Sequence, residues 1–598
     1  MKPPTLLCLR LRPLQGASRI ALRTPLGLAC QPRTFATAMG EPDYNKWTKQ
    51  GLVERVKALE AELAQRSAGG GETEVHVRPG ASASAPEAVR EAPADAEDAD
   101  MPPPRKKQKK EKKEISAANY STRFIALKLA YLGKNYNGFE MQAQGGASTI
   151  EEELWKALVK SCLIFPKDPQ EIDFSICEYS KCGRTDRGVS AFGQVIALRV
   201  RSNKPVREQN AVTAGGGEGD QTATGTVAEE EQDDSPCPVE DEVAYCRVLN
   251  RLLPPDIRIL AWCPSPPPGF SARFSCRERQ YRYFFTQPAF APAPGALEGP
   301  RPEGRPKEGW LDIEAMCEAA RLFEGEHDFR NFCKVDASKQ ISNFVRRVFA
   351  AYVTEVPDAE SALAYLQRPE LRPDGAAPGR APKVYSFNVR GSAFLWHQIR
   401  HMVAVLFLVG QGLERPSVVR QLLDVSACPR RPGYVLADET PLVLWDCVFP
   451  GEGNPEGRDA LGWVWPGEED LHGRGGLVNH LWRGWRERKM DELLAGRLLG
   501  YAAERADRAR GGVGEKQRPA AGPKVFDGGN APASAGRYVP VMERPLLPAP
   551  EDVNNKFARQ KGFADSAAMR AAGSWREVVK AAKAAGAGGD GQPGTEPG

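Results

Sequence analysis

This sequence predicts an α+β fold, and three observations carry that expectation. Apolar runs with strand-like composition recur at 124–131, 193–200, 270–286, 346–353 and 384–389. Helical patterns stand between them at 149–158 and 313–322, and a longer, almost wholly apolar helix covers 394–409. Glycine-rich turns separate the periodic segments, as in a layered domain whose sheet is covered by helices.

The elements follow in order. A turn at 132–138 leads from the first strand to a helix whose start reads Thr149-Ile150-Glu151-Glu152, a capping box that gives the first turn an acceptor and places acids at the positive end of the helix dipole. The eleven residues Lys181 to Ala191 (KCGRTDRGVSA) then set Asp186 between Arg184 and Arg187, in a turn that Gly183 and Gly188 allow to be tight. Because the strand at 193–200 follows at once, Asp186 is expected at a sheet edge, its carboxylate held ionised by the flanking guanidinium groups. The ordered pattern passes through 243–256, the strand at 270–286, a loop at 324–333 and the helix at 394–409. Residues 442–448 are expected to close the sheet, and a further helix is expected over 477–506.

The chain has 598 residues, and its 50 Pro and 58 Gly indicate that much of it does not pack. Residues 1–40 lack Asp and Glu but carry Arg10, Arg12, Arg19, Arg23 and Arg33, the composition of a transit peptide or of a disordered basic leader. Residues 41–65 place Trp47, Leu52, Val53, Val56, Leu59 and Leu63 at helical spacing, an amphipathic helix able to pair with a partner or with itself. Residues 66–118 read as a disordered basic linker, and the Lys/Arg run at 104–113 is of the nuclear-import or nucleic-acid type. The folded region is expected as an N-terminal half over 119–286, with a disordered insertion at 207–240, a linker loop at 287–307 and a C-terminal half over 308–450. Residues 451–598 form an extension, partly helical and partly disordered, with no evident chemistry. The 13 cysteines form no Cys-x-x-Cys pair and the six histidines are dispersed, which points to reduced thiols in an intracellular protein and to no zinc site. No apolar run approaches the ~18 residues needed to span a bilayer, so no membrane partner is expected.

Three distant segments share one chemical theme. The Asp186 turn supplies a carboxylate between arginines. The segment Phe270 to Tyr283 carries Arg273, Arg277, Arg279 and Arg282 against the single acid Glu278, and as a strand it would point Arg277, Arg279, Tyr281 and Tyr283 to one face. Guanidinium forks suit phosphates and phenol rings cover an unstacked base. In the third segment Arg400 lies on an apolar helix and needs a carboxylate partner, a part that Asp186 could fill. His397 and His401 have metal-like spacing, but Gln398-Ile399-Arg400 between them lacks a ligand and adds a cation, which argues against a metal.

Taken together, Gly183 to Ala191 (GRTDRGVSA), Ala272-Arg273-Phe274-Ser275, Tyr281-Arg282-Tyr283, Gly325 to Phe329 (GEHDF) and the Phe394-Leu395-x-His397-x-x-Arg400 pattern resemble the motifs of TruA-type tRNA pseudouridine synthases. The loop from Glu324 to Asp336 (EGEHDFRNFCKVD), with Ser338 to Ile341 (SKQI), is closer to the eukaryotic branch acting on uridines 38 and 39 of the anticodon stem-loop. The resemblance covers about residues 120–450 and implies two related α/β halves sharing a continuous mixed or antiparallel sheet, a central basic cleft, a homodimer, and neither metal nor organic cofactor. Carried over residue by residue, it makes Asp186 the catalytic aspartate, Arg184 the arginine two before it, Tyr281 the contact to the target base and Arg400 the partner of the aspartate. Trp396, Gln398 and His401 depart from residues common in the family. Charge alone adds Arg273 and Arg277 as RNA-binding candidates.

These readings imply an enzyme that isomerises uridine to pseudouridine in tRNA, in nucleus and cytoplasm with a mitochondrial pool. The rivals are a tRNA-binding chaperone without the chemistry, the same chemistry at another tRNA position or on another RNA, and a metal-dependent RNA hydrolase. The last lacks the clustered carboxylates or ligands that such chemistry needs.

Overall fold

The computed structural model describes residues 115–142, 146–205, 236–292, 303–356, 383–450, 461–510, 524–529, 532–534 and 537–586. The leader at 1–40, the helix at 41–65, nearly all of the linker at 66–118 and most of the insertion at 207–240 lie outside the described residues.

Strands whose apolar residues run on without alternation become interior strands, covered on both faces. Ser190–Pro205 is such a segment: Val195, Ile196, Ala197 and Leu198 are all wholly buried. Nine strands form one sheet: β1 (Tyr120–Tyr131), β2 (Ser180–Lys181), β3 (Ser190–Pro205), β4 (Ile257–Cys263), β5 (Glu278–Gln287), β6 (Gly325–Asp328), β7 (Val345–Glu355), β8 (Lys383–Gly391) and β9 (Leu442–Val448). The order is β4-β1-β3-β9-β5-β8-β7-β6, with β2 added to β3. Only the β3–β9 pairing, Ser190 with Val443 and Ala191 with Leu444, is parallel, which makes the sheet mixed and continuous.

The helices are α1 (Ile150–Lys160), α2 (Tyr245–Asn250), α3 (Ile313–Arg321), α4 (Gln398–Gly410), α5 (Val418–Leu423), α6 (Glu468–His472), α7 (Leu477–Arg510), α8 (Pro550–Gln560), α9 (Ser566–Ala571) and α10 (Trp575–Gly586). The Thr149–Glu152 capping box closes in both directions at the start of α1. The run of α4 from Met402 to Val409 is apolar on every side and so must be buried on every side, and all thirteen residues of α4 are buried. Phe407 of α4 meets Tyr283 and Phe285 of β5 edge-on at 5.8 and 5.4 Å, and Phe526 from the C-terminal extension at 4.8 Å. Each such aromatic contributes roughly 1.5–3 kcal/mol through burial. Two apolar cores result, one under β1, β3, β4 and α1, the other around α4, β5, β7 and β8. No helix among the described residues is long and apolar enough to cross a membrane.

The structure corrects several expectations. Residues 442–448 do not close the sheet: β9 lies at its centre, bonded to β3 on one side and β5 on the other. The turn holding Asp186 is therefore over the middle of the sheet and not at an edge. The strand expected at 270–286 begins only at Glu278, since Phe270 to Arg277 is held in turns, with Ser275 N bonded to Ser271 O and the Ser275 hydroxyl to Ser271 N. The short strand β6 sits inside the loop expected at 324–333, and β4 was missed because Arg258 and Trp262 interrupt its apolar run. β5 pairs with β8 and β9, so its side chains join the second core. The extension beyond residue 523 packs on the folded region: Phe526 exchanges two backbone-to-amide bonds with Gln411, and Tyr538 donates to Glu414.

Candidate active site

The Asp186 turn runs from the end of β2 to the start of β3 and is pinned on all sides. Gln194, wholly buried on β3, accepts from Gly183 N at 3.0 Å and donates to Gly183 O at 2.9 Å. The hydroxyls of Tyr131 and Thr185 share a buried bond of 2.7 Å, and Phe139 N donates to Thr185 O at 3.1 Å. Gly188 has φ +79°, a left-handed conformation costly for other residues, and a Cβ there would meet Glu439 Cγ at 2.5 Å. Glycine thus lets the turn reverse and lets Glu439 approach.

A cleft of about 740 Å³ opens over this turn. Nine Lys or Arg side chains line it against four Asp or Glu, so its field is positive and suits a polyanion. Arg184, Asp186, Arg273, Tyr281 and Arg400 all contribute to the lining. Arg277 does not: it precedes β5, is exposed, and lies outside this cleft, so the expected shared face of Arg277, Arg279, Tyr281 and Tyr283 does not form. Tyr283 is buried against Phe407 instead.

Asp186 is half-buried. Trp396 Nε1 donates to its Oδ1 at 3.0 Å, and His397 Nε2 lies 3.5 Å from its Oδ2. The expected Arg400–Asp186 pair is not what the structure shows. Arg400 donates from Nη2 to Glu439 Oε2 at 2.6 Å and from Nε to Ala437 O at 2.7 Å, and it acts on Asp186 only through its field. Nor do the flanking arginines clamp the carboxylate: Arg184 reaches Glu140 at 3.3 Å, and Arg187 is exposed at the cleft. Burial raises the Asp186 carboxyl above the usual aspartate range; Arg400, the Trp396 hydrogen bond and Lys339 oppose that rise, while Glu439 adds to it. The net direction is upward, so desolvation outweighs the cations expected to hold the group ionised.

His397 begins α4 in a left-handed conformation with φ +61°, which aims its ring and the Trp396 indole at the turn. Burial, with Arg400 and Lys334 nearby, pushes His397 down to about 4, so it is neutral near pH 7 and its contact with Asp186 is no ion pair. His401, pushed down to about 3 by burial and by Arg431, accepts from Arg431 at Nε2 and lies 3.0 Å from His397 O at Nδ1. Both ring nitrogens of His401 are thereby committed.

Tyr281 stands edge-on to Phe394, with centroids 5.4 Å apart and planes at 84°, and burial raises its hydroxyl so that it keeps its proton. Arg279, on the same strand, donates to Ser392 O at 2.7 Å, Arg273 O at 2.9 Å and Cys182 O at 3.2 Å, tying β5 to the Asp186 turn and to the loop before α4. Lys334 and Lys339 lie 4.7 and 6.0 Å from the Trp396 ring centroid. Sequence reasoning missed Lys334, Lys339, Glu439 and the role of Trp396. Glu439 carries no local signal, whereas a Trp-His pair in the turn before a buried helix was visible.

Cys182, Cys276 and Cys447, scattered in sequence, bring their sulfur atoms within 4.8 Å of one another under the turn. Hydrogen bonds from Cys182 and Cys447 lower the Cys276 thiol, with Arg279 adding to the effect. Three thiols are one ligand short of a closed tetrahedral site, and the neighbouring guanidinium adds positive charge where a cation would sit.

Known proteins resemble this chain over its folded region. A sequence profile described as tRNA pseudouridine synthase matches residues 319–450. The chain is 40% identical over 341 residues to the tRNA pseudouridine(38/39) synthase of Saccharomyces cerevisiae, covering 56% of this chain and 60% of that protein. It is 39% identical over 335 residues to the human tRNA pseudouridine(38/39) synthase, covering 55% and 56%. The match thus spans somewhat over half the length of these two relatives. A probable tRNA pseudouridine synthase of Caenorhabditis elegans is 33% identical over 342 residues, covering 57% of this chain and 70% of that protein. On the strength of that last coverage and of the matching profile, the chain belongs to the tRNA pseudouridine synthase family.

Proposed function

We propose that the chain isomerises uridine to pseudouridine at positions 38 and 39 of the tRNA anticodon stem-loop, with Asp186 as the catalytic carboxylate. The observation that carries this reading is that Asp186, held by the Trp396 donor, lines a basic cleft to which Tyr281 also contributes. The names of the yeast and human relatives support the position.

The reaction breaks the C1′–N1 bond, turns the uracil, and forms a C1′–C5 bond; C5 loses its hydrogen and N1 gains one, without redox change. One anionic carboxylate suffices, either attacking C1′ or removing the 2′ proton, and both routes need Asp186 ionised. Trp396 holds the carboxylate in place through Oδ1. Tyr281 would lie against the uracil once the base has left its stack, a step costing a few kcal/mol and least at a loop or stem-end nucleotide. Arg184, Arg187, Arg273, Lys334 and Lys339 line the cleft and supply the charge that backbone phosphates would meet there.

The partners of this reading are tRNA and a second copy of the chain, and its compartments are nucleus and cytoplasm with a mitochondrial pool addressed by residues 1–38. Sedimentation of the purified chain tests the dimer, and a fluorescent fusion with and without residues 1–38 tests the address. The position is tested with 5-³H-uridine-labelled anticodon stem-loops: release from the wild-type stem-loop that is lost when uridines 38 and 39 are replaced by cytidine supports it, and release that persists refutes it.

A further inference from the structure

We propose that the C-terminal segment from Pro550 to Trp575 is a clamp that sets the 334–341 loop on the cleft, with Asn554 and Trp575 as positioning residues for Lys339 and, through Trp396, for Asp186. The proposal rests on the reading of the cleft as the catalytic site and assigns a role to an extension in which the sequence shows no chemistry.

The segment first holds itself together. Glu551 on α8 accepts from Ser566 and from Arg570 on α9, and Asn555 Oδ1 accepts from Ser566 N at 2.9 Å. Phe557 on α8 meets Trp575 on α10 edge-on at 5.5 Å. This unit then takes hold of the loop at three points within four residues. Trp575 Nε1 donates to Ser338 O at 3.0 Å, Gln340 Nε2 donates to Asn554 O at 3.2 Å, and Asn554 Nδ2 donates to Ile341 O at 3.0 Å. Asn554 is wholly buried. Donors so placed act as fixed attachments, because leaving them unpaired in the interior would be costly.

The loop needs holding. Gln340 sits at φ +50°, a left-handed conformation that a non-glycine residue keeps only where its surroundings impose it. The same loop aims at the cleft from its other side: Lys339 pairs with Asp336 at 2.9 Å, Lys334 N donates to Trp396 O at 3.0 Å, and both lysine ammonium groups lie over the Trp396 ring. Trp396 in turn holds Asp186. A continuous path of contacts therefore runs from α8 and α10 to the carboxylate.

The test uses the full chain with Asn554→Ala, Trp575→Phe and Lys339→Gln, singly and combined. Single-turnover tritium release at saturating enzyme is expected to slow about ten-fold in Asn554→Ala, as a small misplacement of a reacting group does, and less in Trp575→Phe. Adding Lys339→Gln to Asn554→Ala should bring little further loss, because both act along one path. Rates that multiply would overturn the proposal, since a general loss of stability acts independently of Lys339. Hydrogen exchange of residues 334–341 decides the clamp without reference to activity: faster exchange in Asn554→Ala supports it, and unchanged exchange refutes it. A wild-type chain that released no tritium would overturn the catalytic reading while leaving the exchange result standing.

Discussion

Trp396 Nε1 lies 3.0 Å from Asp186 Oδ1 and donates to it, so the indole performs the orienting task that the sequence assigned to Arg400. Arg400 is bound to Glu439 and stabilises the ionised carboxylate from a distance. Orientation and charge stabilisation thus come from different residues.

Trp396→Phe separates them. The ring beneath Lys334 and Lys339 is kept and the donor is lost. A hydrogen bond to a charged group contributes about 1.5–3 kcal/mol, so single-turnover isomerisation should slow roughly ten- to hundred-fold. An unchanged rate would show that the bond does not matter to the chemistry.

The pH profile should carry the mark of burial. With the Asp186 carboxyl raised, the acid limb of activity should lie above the ordinary aspartate pKa of about 3.9. Arg400→Gln should move that limb to higher pH and Glu439→Gln to lower pH, because the first lowers and the second raises the Asp186 carboxyl. Shifts in the same direction would contradict this electrostatic account.

Stability should follow the same sign. A carboxyl whose folded pKa is above its unfolded value contributes stability below the unfolded pKa and loses it as pH rises through the folded pKa. Asp186→Asn should therefore melt at a higher temperature than wild type near neutral pH, with the difference vanishing in acid. A lower melting temperature at neutral pH would mean that the carboxylate is not strained by burial.

Thr185→Val tests the support of the turn. It removes the hydroxyl that bonds the buried Tyr131 hydroxyl at 2.7 Å, leaving that group only its weaker interaction with Gln194. The expected cost is about 1–3 kcal/mol, read by denaturant unfolding, together with slower isomerisation. Full stability with normal activity would mean that other contacts hold the turn.

Arg273 and Arg277 should now differ. Arg273 lines the cleft and Arg277 does not. Arg273→Ala should lower the slope of log affinity for tRNA against log salt by about 0.7–0.9, as the loss of one phosphate contact does. Arg277→Ala should change it less, and equal effects would place the RNA path outside the cleft.

Much of the site was legible because local rules wrote it. Gly188 must be glycine where φ is +79°, the Thr149–Glu152 box must start a helix, and the apolar run of α4 must be buried. What stayed hidden depends on partners far away in sequence. Arg400 visibly needed a carboxylate, but nothing local distinguishes Glu439 from Asp186. Cys182, Cys276 and Cys447 meet only because β9 is inserted between β3 and β5. The grip of Asn554 on residues 340 and 341 lies in an extension whose sequence suggests no chemistry, and its partners are more than 200 residues away.

The most direct test of the central claim compares tritium release from 5-³H-uridine-labelled tRNA by the wild-type chain and by Asp186→Asn, with tRNA binding measured alongside. The account predicts release by the wild type, none by the variant, and similar binding by both. Release by Asp186→Asn at the wild-type rate, or binding by the wild type with no release, would contradict it.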